Sequence, residues 1–403
     1  MSYEYVKVGE CCHFVSRGKT PKYDELGNGK VVKSAHVQVD NIRWEKCPTV
    51  SDAFVAKHKD KFALRKGDVL LNGTGTGTLG RPGYVKKEPD GLFILDSHVN
   101  LFRTQESKLF YKYLFYWLLT PYCQRAIELS YTGSTNQIEL SATRAGNLLI
   151  PLPPIKEQKR IAAILDKADA IRRKRKEAIA LTEELLRSTF LDMFGDPVTN
   201  PKGWKVVKLE KILGEPFQNG AYYPKDKYSN SNDSIEMVHM SDAFYGVAQP
   251  GDLKRVLASK KEIEQYGLTE GDVLINRRSL NYEGSAKPCL IPDLKEPLIF
   301  ESSLIRVRVN QDIIDPIFFY SYMLQPRARA AFVFPYVTKS TISGINQTGL
   351  KQVKILVPPI KLQLKYKQFY KQVTCTKKDH ENSLKDKNNL FNSLLQKAFR
   401  GEL

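Results

Sequence analysis

At 403 residues, with 42% hydrophobic and 26% charged side chains, the chain is long enough to bury two ordinary cores, so two folded domains are expected. A formal charge of +18 at pH 7 is far from balanced and points to an anionic partner, nucleic acid being the commonest anion that spreads over a chain of this size. Six cysteines without a C-x-x-C pair indicate neither a disulfide framework nor a zinc ribbon, and the opening "MSYEYVKVGE" has no signal-peptide core, so a soluble, cytoplasmic protein is expected.

In chain order, the first region mixes short β-rich runs such as "DVLL" and "FILDSHVNLFR" with Gly, Pro and Asn clusters. Within it, "LLNGTGTGTLGRPG" at 70–83 offers Gly75, Gly77 and Gly80 as G-x-G-x-x-G, and nearly a P-loop, with Arg81 and Pro82 where lysine and serine belong. A dinucleotide fingerprint needs a helix opening at the loop to present N–H groups to the pyrophosphate. Pro82, Gly83 and "YVKKEPDG" read instead as strand and turn, so no nucleotide site is expected. Pro89-Asp90 with Glu106 and Lys108 fits the loose PD...ExK spacing of a metal-dependent nuclease. Asp90-Gly91 reads more simply as a hairpin turn.

The apolar run "LFYKYLFYWLL" at 109–119 is too short for a bilayer and reads as a core helix. A polar loop, "YTGSTNQ", leads through a strand to Pro153-Pro154, where a helix opens that runs to Gly195. Its length of about 40 residues gives a rod of about 60 Å. Ile161, Ile164, Ala168, Ile171, Ala178 and Leu185 form a narrow stripe near heptad spacing, with Arg175 and Thr182 falling on it. The basic run "IRRKRKEAI" at 171–179 reads equally as a DNA contact or a solvated helix face.

Past this helix the chain starts again. "LRKGDVLLNG" from Leu64 matches "LTEGDVLINR" from Leu268, "IPLPPIKEQ" from Ile150 matches "ILVPPIKLQ" from Ile355, and "ELLRSTF" from Glu184 matches "SLLQKAF" from Ser393, at displacements of 204, 205 and 209. Weaker echoes are "VKVGE" at 6 with "VKLEK" at 207, and His36 with His239. The second copy ends in a helix from Pro359 to Arg400 carrying Phe369, Val373, Thr376, Leu384, Phe391, Leu394 and Ala398. Both stripes are weak in the middle, so the two helices are expected to pair with each other, and a two-fold relation between the copies makes them antiparallel. The second copy lacks the glycine spacing, placing "NRRSLNYEGS" there with Arg277 and Arg278, and has Gln311-Asp312-Ile313 where ExK would fall. Leu152 and Val357 near the Pro-Pro steps, with Ile155 and Ile360 after them, are not the residues of an amino-methyltransferase motif. The six histidines show no metal-ligand spacing, and no metal is expected.

Two variable regions that end in "GST" or "KST", continue into "IPLPPIKEQKRIAAILDKAD" and restart at "NPKGWKVVKLEKI" resemble the DNA-specificity subunit of type I restriction-modification enzymes, across essentially the whole chain. The "SRGKTPK" loop at 16–22 and "GDVLLNGTGTGTLGRPG" are similar to that family's recurrent features, whereas "FQNGAYYPK" lacks the G-x-T-P form and "VPPIKLQLKYKQ" lacks the glutamate and the second Ile-rich turn. The resemblance implies an α+β fold with a pseudo-two-fold internal repeat: two globular α/β target recognition domains, 1–152 and 196–357, separated by two long helices, 153–195 and 358–403, paired as an antiparallel coiled coil. It implies a non-catalytic reader of double-stranded DNA, each domain gripping half of a bipartite target while the helices set the gap. Two methyltransferase subunits using S-adenosylmethionine and a motor nuclease using ATP and Mg would be partners, with no cofactor held by this chain. The rivals are a coiled-coil adaptor that binds nucleic acid without sequence preference, and the nuclease of Asp90, Glu106 and Lys108.

DNA contacts call for Arg, Lys and backbone N–H groups on phosphates, and for Arg, Asn, Gln, Ser or Thr at groove depth. In the first copy these are Arg17, Lys19, Lys22, Thr74, Thr76, Arg81, Ser134, Thr135, Asn136 and Gln137. In the second they are Asn219, Tyr222, Tyr223, Lys225, Arg277, Arg278, Tyr282, Lys339, Ser340 and Thr341.

Overall fold

The computed structural model describes residues 3–39, 41–133, 138–244 and 246–403. They form two compact units, one of residues 1–176 with 382–403 and one of residues 177–381. Each unit therefore includes a share of both long helices, a partition that does not fall at the Pro-Pro steps. No helix among the described residues is long and apolar enough to cross a membrane.

The first unit contains β1 (Tyr5–Lys7), β2 (Cys12–Arg17), β3 (Gly29–Val32), β4 (Thr49–Val50), α1 (Asp52–Phe62), β5 (Val69–Asn72), β6 (Pro82–Tyr84), β7 (Phe93–Leu95), β8 (Val99–Thr104), α2 (Tyr111–Leu118), α3 (Pro121–Ser130), α4 (Ala142–Gly146) and β9 (Leu149–Pro151). Helix α5 (Ile155–Phe194) follows. A four-stranded sheet runs β2-β8-β5-β6, a three-stranded one β4-β3-β7, and β1 pairs with β9. Every residue of the "VLLN" strand β5 is buried, which a central strand covered on both faces requires. Six aromatic or leucine side chains of α2, from Tyr113 to Leu118, are also buried, each worth roughly 1.5–3 kcal/mol of burial.

The second unit repeats the order with β10 (Lys205–Lys208), β11 (Gln218–Asn219), β12 (Ile235–Val238), α6 (Met240–Ala243), β13 (Arg255–Val256), α7 (Lys260–Tyr266), β14 (Val273–Asn276), β15 (Arg278–Ser279), β16 (Pro288–Leu290), β17 (Leu298–Phe300) and β18 (Leu304–Val307). It continues with α8 (Pro316–Leu324), α9 (Pro326–Ala328), β19 (Ser343–Gly344), α10 (Gln347–Lys351), β20 (Lys354–Val357) and α11 (Ile360–Arg400). Its sheets, β11-β18-β14-β16, β13-β12-β17 and β10-β20, match those of the first unit strand for strand, and a β15-β19 pair is added. The repeated "GDV" keeps its role in both units. Gly67 and Gly271 each have φ of +88°, a left-handed turn that favours glycine. The aspartates behind them, Asp68 and Asp272, are buried and bind Arg103 at 2.9 Å and Arg308 at 2.7 Å. The echo between His36 and His239 does not hold in space. His239 directly follows β12, whereas His36 lies four residues beyond the end of the matching β3, so Lys33 is the positional counterpart of His239.

The long helices are antiparallel in each unit. In the first, Arg160 donates to the Leu403 carbonyl at 2.7 Å and Arg172 lies over the Phe391 ring, so α11 numbers fall as α5 numbers rise. In the second, Glu183 meets Lys377 at 2.7 Å, and Phe190 packs on Tyr366 with ring centroids 5.5 Å apart. The seam follows most of the predicted stripe and departs from it at Ile171, Leu185 and Thr376. Ile161 is buried and Ile164, Ala168 and Ala178 half-buried, but Ile171 and Leu185 are exposed. At those two positions the next residues, Arg172 and Leu186, are half-buried instead, while Leu165 and Ile179 are covered alongside Ile164 and Ala178. On α11, Val373 and Phe391 are buried and Phe369, Leu384 and Leu394 half-buried, while Thr376 is exposed and Lys377 takes its place. The middle of the seam is charged: Arg172 stacks on Phe391, Arg172 and Arg173 pair with Asp169, and Lys377 pairs with Glu183. A search for apolar residues slides past such positions, because an arginine or lysine covers apolar surface with its stem.

Candidate nucleic-acid interface

In the first unit the glycine-rich segment closes a hairpin. β5 pairs antiparallel with β6, Leu71 opposite Pro82, so the loop joins strand to strand instead of opening a helix. Gly75 and Gly80 have φ of +89° and +75°, and the turn is tied by Thr78 Oγ1 donating to the Thr74 carbonyl at 2.6 Å. Thr74 bridges to Glu139, as does Thr132, and Thr76 is exposed. Arg17, at the end of β2, donates through Nε to the Ser97 carbonyl at 2.5 Å and through Nη1 ion-pairs with Glu139. Arg81 is half-buried and donates to the Ser34 carbonyl at 3.1 Å, so it braces the fold from within. Lys19 is exposed with Nζ 5.4 Å from the centre of the Phe62 ring, and Lys22 is exposed. Ser134, Thr135, Asn136 and Gln137 lie outside the described residues. Asp90 and Glu106 are exposed, and the Lys108 carbonyl accepts from buried Gln158.

The second unit gathers more of the predicted residues. Arg277 is half-buried with Nη1 donating to the Ser302 carbonyl at 2.9 Å, and Arg278 beside it is exposed. Tyr282 donates to the Phe334 carbonyl at 3.0 Å, and Lys339 Nζ lies 4.8 Å over the Tyr282 ring. Ser340 donates to the Ile342 carbonyl at 2.6 Å, and Thr341 is exposed. Asn219 accepts from Gln347 at 3.1 Å. Between these loops opens a cavity of about 330 Å³ lined by Arg277, Arg278, Tyr336, Thr338, Ile342 and Asn346. Tyr222 and Tyr223 line a different cavity of about 410 Å³ with Lys227 and Ser259; Tyr223 is buried there, and Lys225 opens an exposed turn beside it.

The junctions of the two units correspond residue by residue. In the first, the Leu140 N–H donates to the Gly73 carbonyl at 2.8 Å; in the second, the Ile345 N–H donates to the Arg277 carbonyl at 2.9 Å. Thr74 bridges to Glu139 where Arg278 pairs with Gly344. Sequence reasoning missed Glu139, Tyr336, Thr338 and Asn346. The 204–205 displacement already sets Glu139 against Gly344 and Thr74 against Arg278. The backbone frame is thus shared and the side chains on it are not, as expected of loops that read different ligands from one scaffold.

The profile of the family described as Type I restriction modification DNA specificity domain matches residues 2–181 and 201–387, most of both copies. The chain belongs to this family. It is 28% identical over 271 residues to the type I restriction enzyme EcoKI specificity subunit of Escherichia coli, a match covering 63% of this chain and 57% of that subunit; the matched region thus spans little more than half of the relative's length. In fold it is similar to the type I restriction-modification system S subunit from M. genitalium, with a TM-score of 0.57 at 14% identity over 99% of this chain and 96% of that one. It is similar also to a chain in a structure of complex assembly and conformational transition of the type I R-M system, with a TM-score of 0.53 at 20% identity over 100% and 98%.

Proposed function

We propose that the chain is the sequence-specific DNA-binding subunit of a type I restriction-modification complex. Each unit reads one half of a bipartite duplex target, and the paired helices set the gap. The observation that carries this reading is the twice-repeated sheet frame whose loop junction is basic and concave in one unit and differently furnished in the other, on a chain of charge +18. The chain acts as a non-catalytic reader. The helical regions would dock two methyltransferase subunits supplying S-adenosylmethionine chemistry, and a motor nuclease with its ATP and Mg would join them.

Selection of bound duplexes from a random DNA pool, using this chain with its cognate methyltransferase subunit at stated salt, tests the reading. Two short elements at a fixed gap are expected. A pool returned without enrichment, with random RNA held equally well, would overturn it in favour of a non-specific adaptor.

A further inference from the structure

The loop junction of the second unit carries a guanidinium mounted for recognition. Arg278 sits on β15, held in antiparallel register with β19, Arg278 opposite Gly344 and Ser279 opposite Ser343. The preceding Arg277 is anchored on the Ser302 carbonyl. The far end of the loop is clamped by buried Arg329, which donates to the carbonyls of Glu283, Ser285 and Ala286 at 2.8, 2.8 and 2.9 Å. Gly344 leaves the cavity floor as bare backbone, since a Cβ there would lie 2.6 Å from the Arg277 carbonyl oxygen. Into this floor only Arg278 brings an exposed charge among the described lining residues, beside Ile342 and Tyr336, which are 52% and 38% exposed.

The matching place in the first unit is built differently. Thr74 stands where Arg278 does, and Glu139 stands where Gly344 does and pairs with Arg17. One junction therefore presents a hydroxyl beside a neutralised ion pair, and the other presents a planar fork of donors in a recess walled by Ile342, Tyr336, Thr338 and Asn346. A phosphate contact needs no recess, and a lysine's point charge can make one too. Among the base edges in the major groove, that of a guanine, with O6 and N7 adjacent, is the one a guanidinium fork matches with two parallel hydrogen bonds.

We propose that Arg278 is a specificity-determining residue of the second unit, reading a guanine in its half of the target through the major groove. The proposal rests on the DNA-specificity reading above. Its test is the same pool selection with the full chain and its methyltransferase partner, comparing the wild type with Arg278→Thr, which copies the residue of the first unit, and Arg278→Lys, which keeps the charge but loses the fork. Both variants are expected to recover two elements at the same gap, with preference for guanine at one position of one element reduced roughly 10- to 100-fold. Equal weakening at every position in Arg278→Thr, a salt slope shallower by about 0.9 and rescue by lysine would mean a phosphate contact and overturn the proposal. Unchanged preferences in both variants would overturn it too while leaving the DNA-specificity reading intact, whereas a wild type that enriches no element would overturn both. Thermal unfolding of each variant, expected to match the wild type because Arg278 is exposed, keeps a folding defect from being read as either result.

Discussion

Gln158 and Gln363 make the same three hydrogen bonds in the two halves of the chain. The Gln158 Oε1 accepts from the Phe110 N–H at 2.8 Å, and its Nε2 donates to the carbonyls of Lys108 and Pro153, each at 2.8 Å. Gln363 repeats this with the Asp315 N–H at 2.8 Å and the carbonyls of Ile313 at 3.1 Å and Pro358 at 2.8 Å. Both side chains are 0% exposed. Each glutamine ties the first turn of a long helix to the residue that caps the buried aromatic helix of its own unit, Phe110 before α2 and Asp315 before α8.

Replacing Gln158 by leucine fills the same space and leaves three backbone groups without partners, one buried and two part-buried. At about 1 kcal/mol or more for each such group, a loss of about 3 kcal/mol is expected, or about 10 °C in the unfolding of a unit of this size. Hydrogen exchange should show faster exchange at Phe110 and along α2 in Gln158→Leu, and at Asp315 and α8 in Gln363→Leu. Equal disturbance of both units by either single variant would contradict the assignment of each glutamine to its own unit.

The seam makes a second prediction, because part of the basic run at 171–179 is occupied. The Arg172 guanidinium lies 3.7 Å from the centre of the Phe391 ring and 2.5 Å from Asp169. Desolvated stacking of this kind is worth up to about 2 kcal/mol. Arg172→Ala is therefore expected to lower thermal stability by 1–2 kcal/mol, of the order given for such a contact, and Phe391→Ala by about 3–5 kcal/mol through the cavity it leaves. The salt slope of DNA binding should stay unchanged in Arg172→Ala, and a slope shallower by about 0.9 would show that this arginine meets a phosphate instead.

These two sites show how much of the molecule the sequence carried. The duplication was legible because the residues that make the frame, Gly67 with Asp68 and Gly271 with Asp272, or Gln158 and Gln363, are nearly invariant between copies and leave identical strings. The aromatic helices were legible because Trp117 and Tyr322 have nowhere to go but a core. The seam was legible in direction and one residue out in phase only at Ile171, Leu185 and Thr376, since Arg172 and Lys377 sit where a pattern of apolar residues expects none. Loop polarity told least. Arg81 and Tyr223 read like Arg278 and Tyr222 in one dimension, yet Arg81 reaches an internal carbonyl and Tyr223 is buried. Which way a polar loop residue turns is decided by carbonyls far away in the chain.

A pH dependence follows from His36. Its Nδ1 accepts from the Lys33 N–H at 3.1 Å, which requires that nitrogen to be unprotonated, and the ring is buried. Burial, then Lys33 and Arg43, hold its pKa below the ordinary value of 6.5. Between the lowered native value and that of the unfolded chain, the unfolded chain binds more protons, so stability rises with pH there. The contribution is complete above about 6.5 and is lost as pH falls through that window. Thermal unfolding at several pH values from about 7.5 down to 5 should therefore show the wild type losing more stability than His36→Asn, which keeps an acceptor without the titration. Parallel curves would remove His36 from the account.

The last prediction concerns Arg329, which braces the second unit's junction from within the fold. Its guanidinium is buried, bonds the carbonyls of Glu283, Ser285 and Ala286, and is pulled down to a pKa of about 10 by burial. Ala286 holds φ of +55°, a left-handed conformation that costs about 1 kcal/mol outside glycine and needs such over-determination. Arg329→Met removes the clamp, so amides from 277 to 286 should exchange faster. Affinity for a duplex carrying both half-sites should fall roughly tenfold, about 1.4 kcal/mol, although Arg278 is untouched. Lysine at 329 keeps the charge and cannot reach three carbonyls in one plane, so Arg329→Lys should restore little of this. Full recovery of affinity in Arg329→Lys would mean that the residue acts through charge alone, and that the loop holds its shape without the clamp.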